Sequence, residues 1–148
     1  YIQSALIIKK RYIEEDEFDL GIRNIFNYGH SFGHAIESTT NYKIPHGIAV
    51  TIGMDLANYI SMKRGFISKT VYQRMQTILR KNYIDYLNTP ISLDGMLAAL
   101  KKDKKNTSSM LVLILPFGEK VEIKKVEVLA DNNFISQCES FFTGIKQR

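Results

Sequence analysis

Apolar residues recur at helical spacing through most of the chain. In the stretch from Tyr1 to Glu15, Ile2, Ala5, Leu6, Ile7 and Ile13 form a broken stripe opposite Lys9, Lys10 and Arg11, which predicts a first helix. The acidic run Glu14-Glu15-Asp16-Glu17 reads as a solvated helix end, and Asp19-Leu20-Gly21 as a turn. A second helix is expected from about Ile22 to Thr40, with Ile22, Ile25, Phe26, Phe32 and Ile36 as packing residues. After the break Asn41-Tyr42-Lys43-Ile44-Pro45, a strongly apolar third helix should run from His46 to Arg64 and stop at Gly65. Its Ile48, Val50, Ile52, Met54, Leu56, Ile60 and Met62 mark it as the buried central element, with the methionines as core filler. Ser68 is positioned to cap a fourth helix through about Lys81. Ser92 is positioned to cap a fifth, whose apolar face is Leu93, Met96, Leu97 and Leu100.

The texture then changes. A charged loop, Lys101 to Asn106, leads into the compact apolar run Met110 to Leu115, bounded by Pro116-Phe117-Gly118. Val121 and Ile123 alternate with charges, so a small hairpin is expected, with Val126 to Leu129 offering an edge. A last helix should span Asn132 to Ile145. There is no internal repeat, low-complexity segment or linker. The pattern predicts a mainly α, multihelical array with one small β-hairpin, in a single domain over residues 1–148.

Composition narrows the partners. The net charge of +5 is spread among acids, without a zinc-finger spacing or a ribonucleoprotein motif. It therefore suits a local site for an anionic metabolite better than a nucleic-acid surface. Cys138 is the only cysteine, so neither a disulfide framework nor a cysteine metal knuckle is expected, and a reducing cytoplasm fits. No apolar run is long enough to span a bilayer. The chain starts at Tyr1 in mid-helix pattern, which leads us to expect a domain cut from something longer.

The chemistry concentrates in one place. All three histidines lie within Asn27-Tyr28-Gly29-His30-Ser31-Phe32-Gly33-His34-Ala35-Ile36-Glu37 and His46-Gly47. His30 and His34 share a helix face, and the intervening break allows His46 to return beside them. Imidazole is a common metal ligand, and three protein ligands with one open position suit a catalytic zinc. The competing reading is a polar helix edge or a satisfied core pair. Arg23, Asn27, His30 and His34, at steps of four, three and four, would form one polar stripe on the second helix. Gly29 and Gly33, also four apart, imply that a packed helix or a ligand approaches that backbone closely.

These motifs have a family resemblance. Asp16-Glu17-Phe18-Asp19-Leu20-Gly21-Ile22-Arg23, the Asn27-to-Glu37 segment and His46-Gly47-Ile48-Ala49-Val50-Thr51-Ile52-Gly53-Met54 together resemble the 3-dehydroquinate synthases of the sugar-phosphate cyclase superfamily. Asp103-Lys104-Lys105-Asn106 and Pro116-Phe117-Gly118 match the family's later segment. The resemblance implies a helical C-terminal metal- and substrate-binding domain, without the N-terminal domain that binds NAD. It implies that His30 and His46 are ligands of a zinc or cobalt ion, completed by a glutamate upstream of this chain. His34 then becomes a proton-transfer residue, and the three-histidine site becomes the weaker reading. Lys9, Arg23 and Asn27 correspond to substrate contacts, as does Lys105 or its neighbour Lys104; without the resemblance that lysine pair reads as a solvated loop. Asp19 takes the place of an acid–base glutamate.

Two departures stand out. Asp19 is one methylene shorter than the family's glutamate, and Ile48 replaces the glutamate of the usual His-Gly-Glu. The implied activity is NAD- and metal-dependent cyclisation of a deoxyheptulosonate phosphate to 3-dehydroquinate with loss of phosphate, in the shikimate pathway to aromatic amino acids. Partners would be a small sugar phosphate and a second copy of the full-length chain, not nucleic acid or membrane. The alternatives are a cyclase acting on another sugar phosphate, an iron- or zinc-dependent alcohol or glycerol dehydrogenase, and a non-catalytic helical regulatory or assembly module. The dehydrogenases share His-x3-His and His-Gly but have no need of the Asp16-to-Arg23 segment or the Asp103-Lys104-Lys105 loop.

Overall fold

Eighteen residues of helix, α3 (His46–Lys63), form the central element of the computed structural model, which describes residues 2–17, 21–102 and 109–146. Around it lie α1 (Ile2–Glu15), α2 (His30–Thr39), α4 (Lys69–Tyr83), α5 (Leu93–Lys102), the strands β1 (Met110–Phe117) and β2 (Glu122–Leu129), and α6 (Asn132–Lys146). Helix α3 packs directly on α2, α4, α6 and β1, and α5 packs on α2. Its Ala49, Ile52, Leu56, Ala57 and Ile60 are all buried, together with Phe32 and Ile36 of α2, Leu111, Leu113 and Leu115 of β1, and Phe134 and Phe141 of α6. Each large apolar side chain removed from water contributes about 1.5–3 kcal/mol, so this shared core is what holds the array together.

The helix ends form where the capping residues are. The Ser68 hydroxyl accepts from the Val71 amide at 3.3 Å, the Ser92 hydroxyl from the Gly95 amide at 3.1 Å, and Asp131 from the Phe134 amide at 2.9 Å. Gly65, at φ 74°, ends α3. The hairpin is antiparallel, pairing Met110 with Leu129 through Phe117 with Glu122, so the second strand is continuous rather than a separate edge. The Gly118 amide donates to the Phe66 carbonyl at 2.8 Å and ties the hairpin turn to the α3–α4 corner.

The sequence pattern misleads in two places. The expected helix over Ile22 to Thr40 is broken. A 3-10 segment, Ile22–Asn27, is followed by extended Tyr28 and by Gly29 at φ 79°, and α2 begins only at His30. The Tyr28 hydroxyl donates to Asn58 of α3, which holds the chain in the kink. The apolar stripe of α1 also stays largely outside the core: Ile2, Leu6 and Ile7 are 81%, 61% and 63% exposed, as is the neighbouring Ile8 at 54%, and only Ile13 is half-buried. Among the described residues α1 touches mainly the 3-10 segment, with Tyr12 edge-on to Phe26 at 5.2 Å.

The α2–α3 contact is made by glycines. A Cβ at Gly33 would lie 2.9 Å from the Val50 Cα, and one at Gly29 would lie 2.5 Å from Met54 Cγ and 2.8 Å from its amide nitrogen. A Cβ at Gly53 would run into the Gly29 carbonyl and approach the Gly33 nitrogen to 2.9 Å. The paired glycines thus answer to a packed helix. Because Gly53→Ala sets a methyl against rigid backbone, it should destabilise the protein by about 3 kcal/mol or more, read as a lower urea midpoint with unchanged slope.

Burial pushes the Cys138 thiol up to about 12. The native protein at about pH 8 should therefore leave an aromatic disulfide reagent unreacted until denaturant is added. The thiol's folded pKa lies above its unfolded value, so its contribution to stability is complete below about 9 and is lost as pH rises from there towards about 12. Rapid labelling without denaturant would contradict this packing.

Candidate functional site

The site forms where the start of α2 meets the start of α3. Gly29 ends the 3-10 segment and sets His30 as the first residue of α2, with His34 one turn later. The chain then has to reverse. Thr40 ends α2, Asn41 and Tyr42 both take left-handed backbone at φ 50° and 58°, and the Tyr42 amide donates to the Glu37 carbonyl at 2.9 Å. This is a Schellman-type end with asparagine where glycine is more usual. Ile44, fully buried, anchors the return, and Pro45 opens α3 so that His46 is its first residue.

The three imidazoles therefore face one another. Ring centroids are 5.6 Å apart for His30 and His46, 6.0 Å for His30 and His34, and 5.3 Å for His34 and His46. Beneath them lies Glu37, whose Oε2 is 3.2 Å from His34 Nδ1 and 2.9 Å from His46 Nδ1. His30 Nδ1 is 3.4 Å from the Tyr28 carbonyl oxygen. The hydrogen bond from His46 holds the Glu37 carboxyl below its ordinary range, against the opposing effect of burial. Burial is also the main reason that the His30 imidazole lies below its ordinary pKa. The His34 and His46 side chains remain 65% and 52% exposed, so a ligand can reach both rings.

The polar stripe expected on the second helix is divided by the kink. Arg23 and Asn27 lie on the 3-10 segment, both half-buried, and not on the helical face that carries His30 and His34. Asp16 accepts from the Gly21 amide at 2.8 Å and the Arg23 amide at 3.0 Å, and Arg23 Nη1 donates to the Glu17 carbonyl at 3.0 Å. Lys9 is an exposed residue of α1. Asp19, Lys104 and Lys105 lie outside the described residues. Ile48 packs on the main core. An open cleft of about 880 Å³ runs between α2 and α5, from His34 past Ser38, Ser92 and Gly95 to Lys102.

Glu37 is the residue that sequence reasoning passed over. It stands in the quoted motif, three residues after His34, but a helix glutamate ordinarily reads as solvated. Here its side chain is only 11% exposed. His34, Glu37 and His46 can also be grouped by themselves, because one ligand atom from each lies within 4.8 Å of the others.

Residues 1–106 match the family described as the 3-dehydroquinate synthase C-terminal domain. The 3-dehydroquinate synthase of Dictyoglomus thermophilum is 43% identical over 129 residues, covering 86% of this chain and 35% of that protein. The enzyme of the same name from Alkaliphilus metalliredigens is 38% identical over 119 residues, covering 80% and 33%. The chain thus spans about a third of the length of these relatives. A crystal structure of 2-deoxy-scyllo-inosose synthase, complexed with carbaglucose-6-phosphate, NAD+ and Co2+, shares the fold with a TM-score of 0.64 at 20% identity, over 85% of this chain and 36% of that one. The chain belongs to the 3-dehydroquinate synthase family.

The turn that returns His46 can be tested by itself. Asn41→Val puts a β-branched side chain at left-handed backbone and should lower unfolding stability by about 1–2 kcal/mol in urea titration. Unchanged stability would mean that the left-handed backbone at residue 41 is not part of the folded turn.

Proposed function

We propose that this member of the family is the metal- and substrate-binding part of a longer 3-dehydroquinate synthase. The observation that carries the reading is the convergence of His30, His34 and His46, with ring centroids 5.3–6.0 Å apart, at the junction of two helices. The donor set suits a divalent cation of zinc or cobalt type, which takes imidazole nitrogen readily. His30 and His46 would hold it, with a glutamate from an upstream part of the protein. NAD would be bound by that upstream part as well. When bound, the metal supplies a Lewis acid next to the substrate's oxygens, and NAD supplies a reversible hydride acceptor.

The chain's own residues then position the substrate and move protons. We assign proton transfer to His34, a reading supported by the exposure of its ring on the wall of the α2–α5 cleft. Arg23 offers a planar fork of donors for carboxylate or phosphate, Asn27 a side-chain amide for hydroxyls, and Lys9 a further cation. We assign Asp19 to acid–base work and Lys104 or Lys105 to substrate holding; Lys102, just before that pair, ends the cleft.

The proposed reaction is redox-neutral overall. A ring hydroxyl of the deoxyheptulosonate phosphate is oxidised, and the new ketone acidifies the neighbouring carbon. That carbon loses its proton and phosphate leaves with the electron pair of its C–O bond. Bound NAD would supply the oxidant and return the hydride to that ketone, so the two changes cancel. The hemiketal C–O bond of the ring then breaks, which frees a ketone at the former hemiketal carbon and an enolate, and the enolate carbon adds to that ketone to close the carbocycle. Positioning by the anion-binding residues supplies much of the rate. We further propose a cytoplasmic homodimer at full length, and no turnover by the 148-residue chain alone.

A second reading puts the cation directly among His34, Glu37 and His46. The variants separate the two. In the full-length enzyme, His30→Ala and His46→Ala should each weaken zinc binding at least about tenfold in chelator competition. His34→Ala should retain the metal while lowering kcat about 100- to 10,000-fold. Loss of metal from the His34 variant but not from the His30 variant would favour the second reading. Failure of the metal-loaded, full-length wild type to release phosphate from the heptulosonate phosphate in the presence of NAD would sink the assigned activity.

A further inference from the structure

Glu37 meets two of the three rings with a single oxygen. Its Oε2 lies 2.9 Å from His46 Nδ1 and 3.2 Å from His34 Nδ1, and the side chain is 11% exposed. An ionised carboxylate can only accept hydrogen bonds, so each Nδ1 that bonds it must carry hydrogen. A neutral imidazole has one N–H, which leaves Nε2 of both rings with a bare lone pair. This is the tautomer that a free histidine side chain disfavours in water, so it has to be imposed by the surroundings. His30 is set in the same sense by a different group, the Tyr28 carbonyl at 3.4 Å from its Nδ1.

We propose that Glu37 is a positioning residue whose one carboxylate yokes His34 to His46, fixing both as Nδ1–H tautomers with Nε2 turned to a shared space. Resting on the functional reading above, the two freed nitrogens have different uses. His46 Nε2 is a metal ligand and His34 Nε2 is a proton acceptor. The metal ligand and the proton carrier are then oriented by the same atom, so losing it disturbs both functions at once. Backbone geometry supports the arrangement. Glu37 sits one turn beyond His34 on α2, and its own carbonyl accepts from the Tyr42 amide in the turn that returns His46. The Glu37 backbone is thus tied to the turn that links the two segments its carboxylate joins.

The test is the protonation pattern of the ring nitrogens, read by long-range proton–nitrogen correlation on 15N-histidine-labelled protein. It is done at about pH 9, above the ordinary imidazole pKa of about 6.5. In the wild type, His34 and His46 should both show Nδ1 protonated and Nε2 bare. In Glu37→Leu, which removes the acceptor from a nearly buried position, both should revert to Nε2–H. His30 should not change, because its partner is a backbone carbonyl, and its signal reports that the fold is intact. Should the variant fail to fold, the wild-type spectrum decides alone, since Nε2–H at either ring overturns the proposal. So does a folded Glu37→Leu protein in which both rings keep Nδ1–H.

In the full-length enzyme, Glu37→Leu should lower zinc affinity about 10- to 100-fold in chelator competition. Zinc added to the wild type should leave the His46 Nδ1 proton in place; its loss would mean that the cation sits on Nδ1 and would overturn the assignment. A wild type with the expected tautomers and no zinc affinity would refute the functional reading and leave the role of Glu37 in orienting the rings standing.

Discussion

The near-contact of α2 and α3 is the constraint on which the rest depends. Two helices whose backbones meet at Gly29, Gly33 and Gly53 cannot slide or rotate without opening a gap or driving an atom into a carbonyl. That fixed crossing sets where the first residue of each helix lies, and both are histidines. The glycines lower intrinsic helix propensity, which the chain tolerates because the packing they permit is worth more than the propensity they forgo. The site is in this sense a by-product of helix packing. Its geometry is held by the helix backbones, by rigid core side chains and by the short turn that joins the two helices.

A second layer of order comes from polar groups taken out of water. Helix α3 buries Asp55, Asn58 and Ser61 along with its apolar residues. The Asn58 and Asp55 side chains accept from the Tyr28 and Tyr83 hydroxyls, and burial pushes both phenols well up from their ordinary pKa. Such pairs specify more than they stabilise. Desolvating a hydroxyl and an amide or a carboxylate offsets much of the hydrogen bond, while any misplacement leaves a buried group without its partner. The Tyr28–Asn58 pair has a direct structural consequence, because it holds the residue just before the kink that begins α2. Among the described residues no helix is long and apolar enough to cross a membrane.

Around the rings the electrostatics are divided in a useful way. The carboxylate of Glu37 is held ionised below its ordinary range by its imidazole partners, while His30 is held towards the neutral form by burial. A neutral imidazole is the form that coordinates a cation, and an ionised carboxylate is the form that can orient a neighbouring ring. Both conditions arise from position alone, before any ligand is present. The half-open cleft beside His34 leaves the opposite edge of the cluster in contact with solvent.

Much of this was legible in the residues. Periodicity located α3 as the central helix, serines marked the starts of α4 and α5, and the clustering of His30, His34 and His46 marked the site, because these signals are local and repeat along the chain. The family motif also carried the membership that the comparisons bear out. What periodicity misjudged were features set by distant neighbours. The kink at Tyr28 and Gly29 depends on Asn58, thirty residues away, and on the room that Gly53 leaves. The apolar stripe of α1 looked like a core face, since pattern reports hydrophobicity and not whether anything lies against it. Glu37 carried no signal of its own in the sequence, and only the return of α3 over α2 made it a nearly buried acceptor between two rings. The amino-acid order determined which groups were available and which short segments were helical. The tertiary structure decided which of those groups meet, because contact between residues far apart in sequence depends on how two backbones cross, and spacing along one strand of chain carries no record of that.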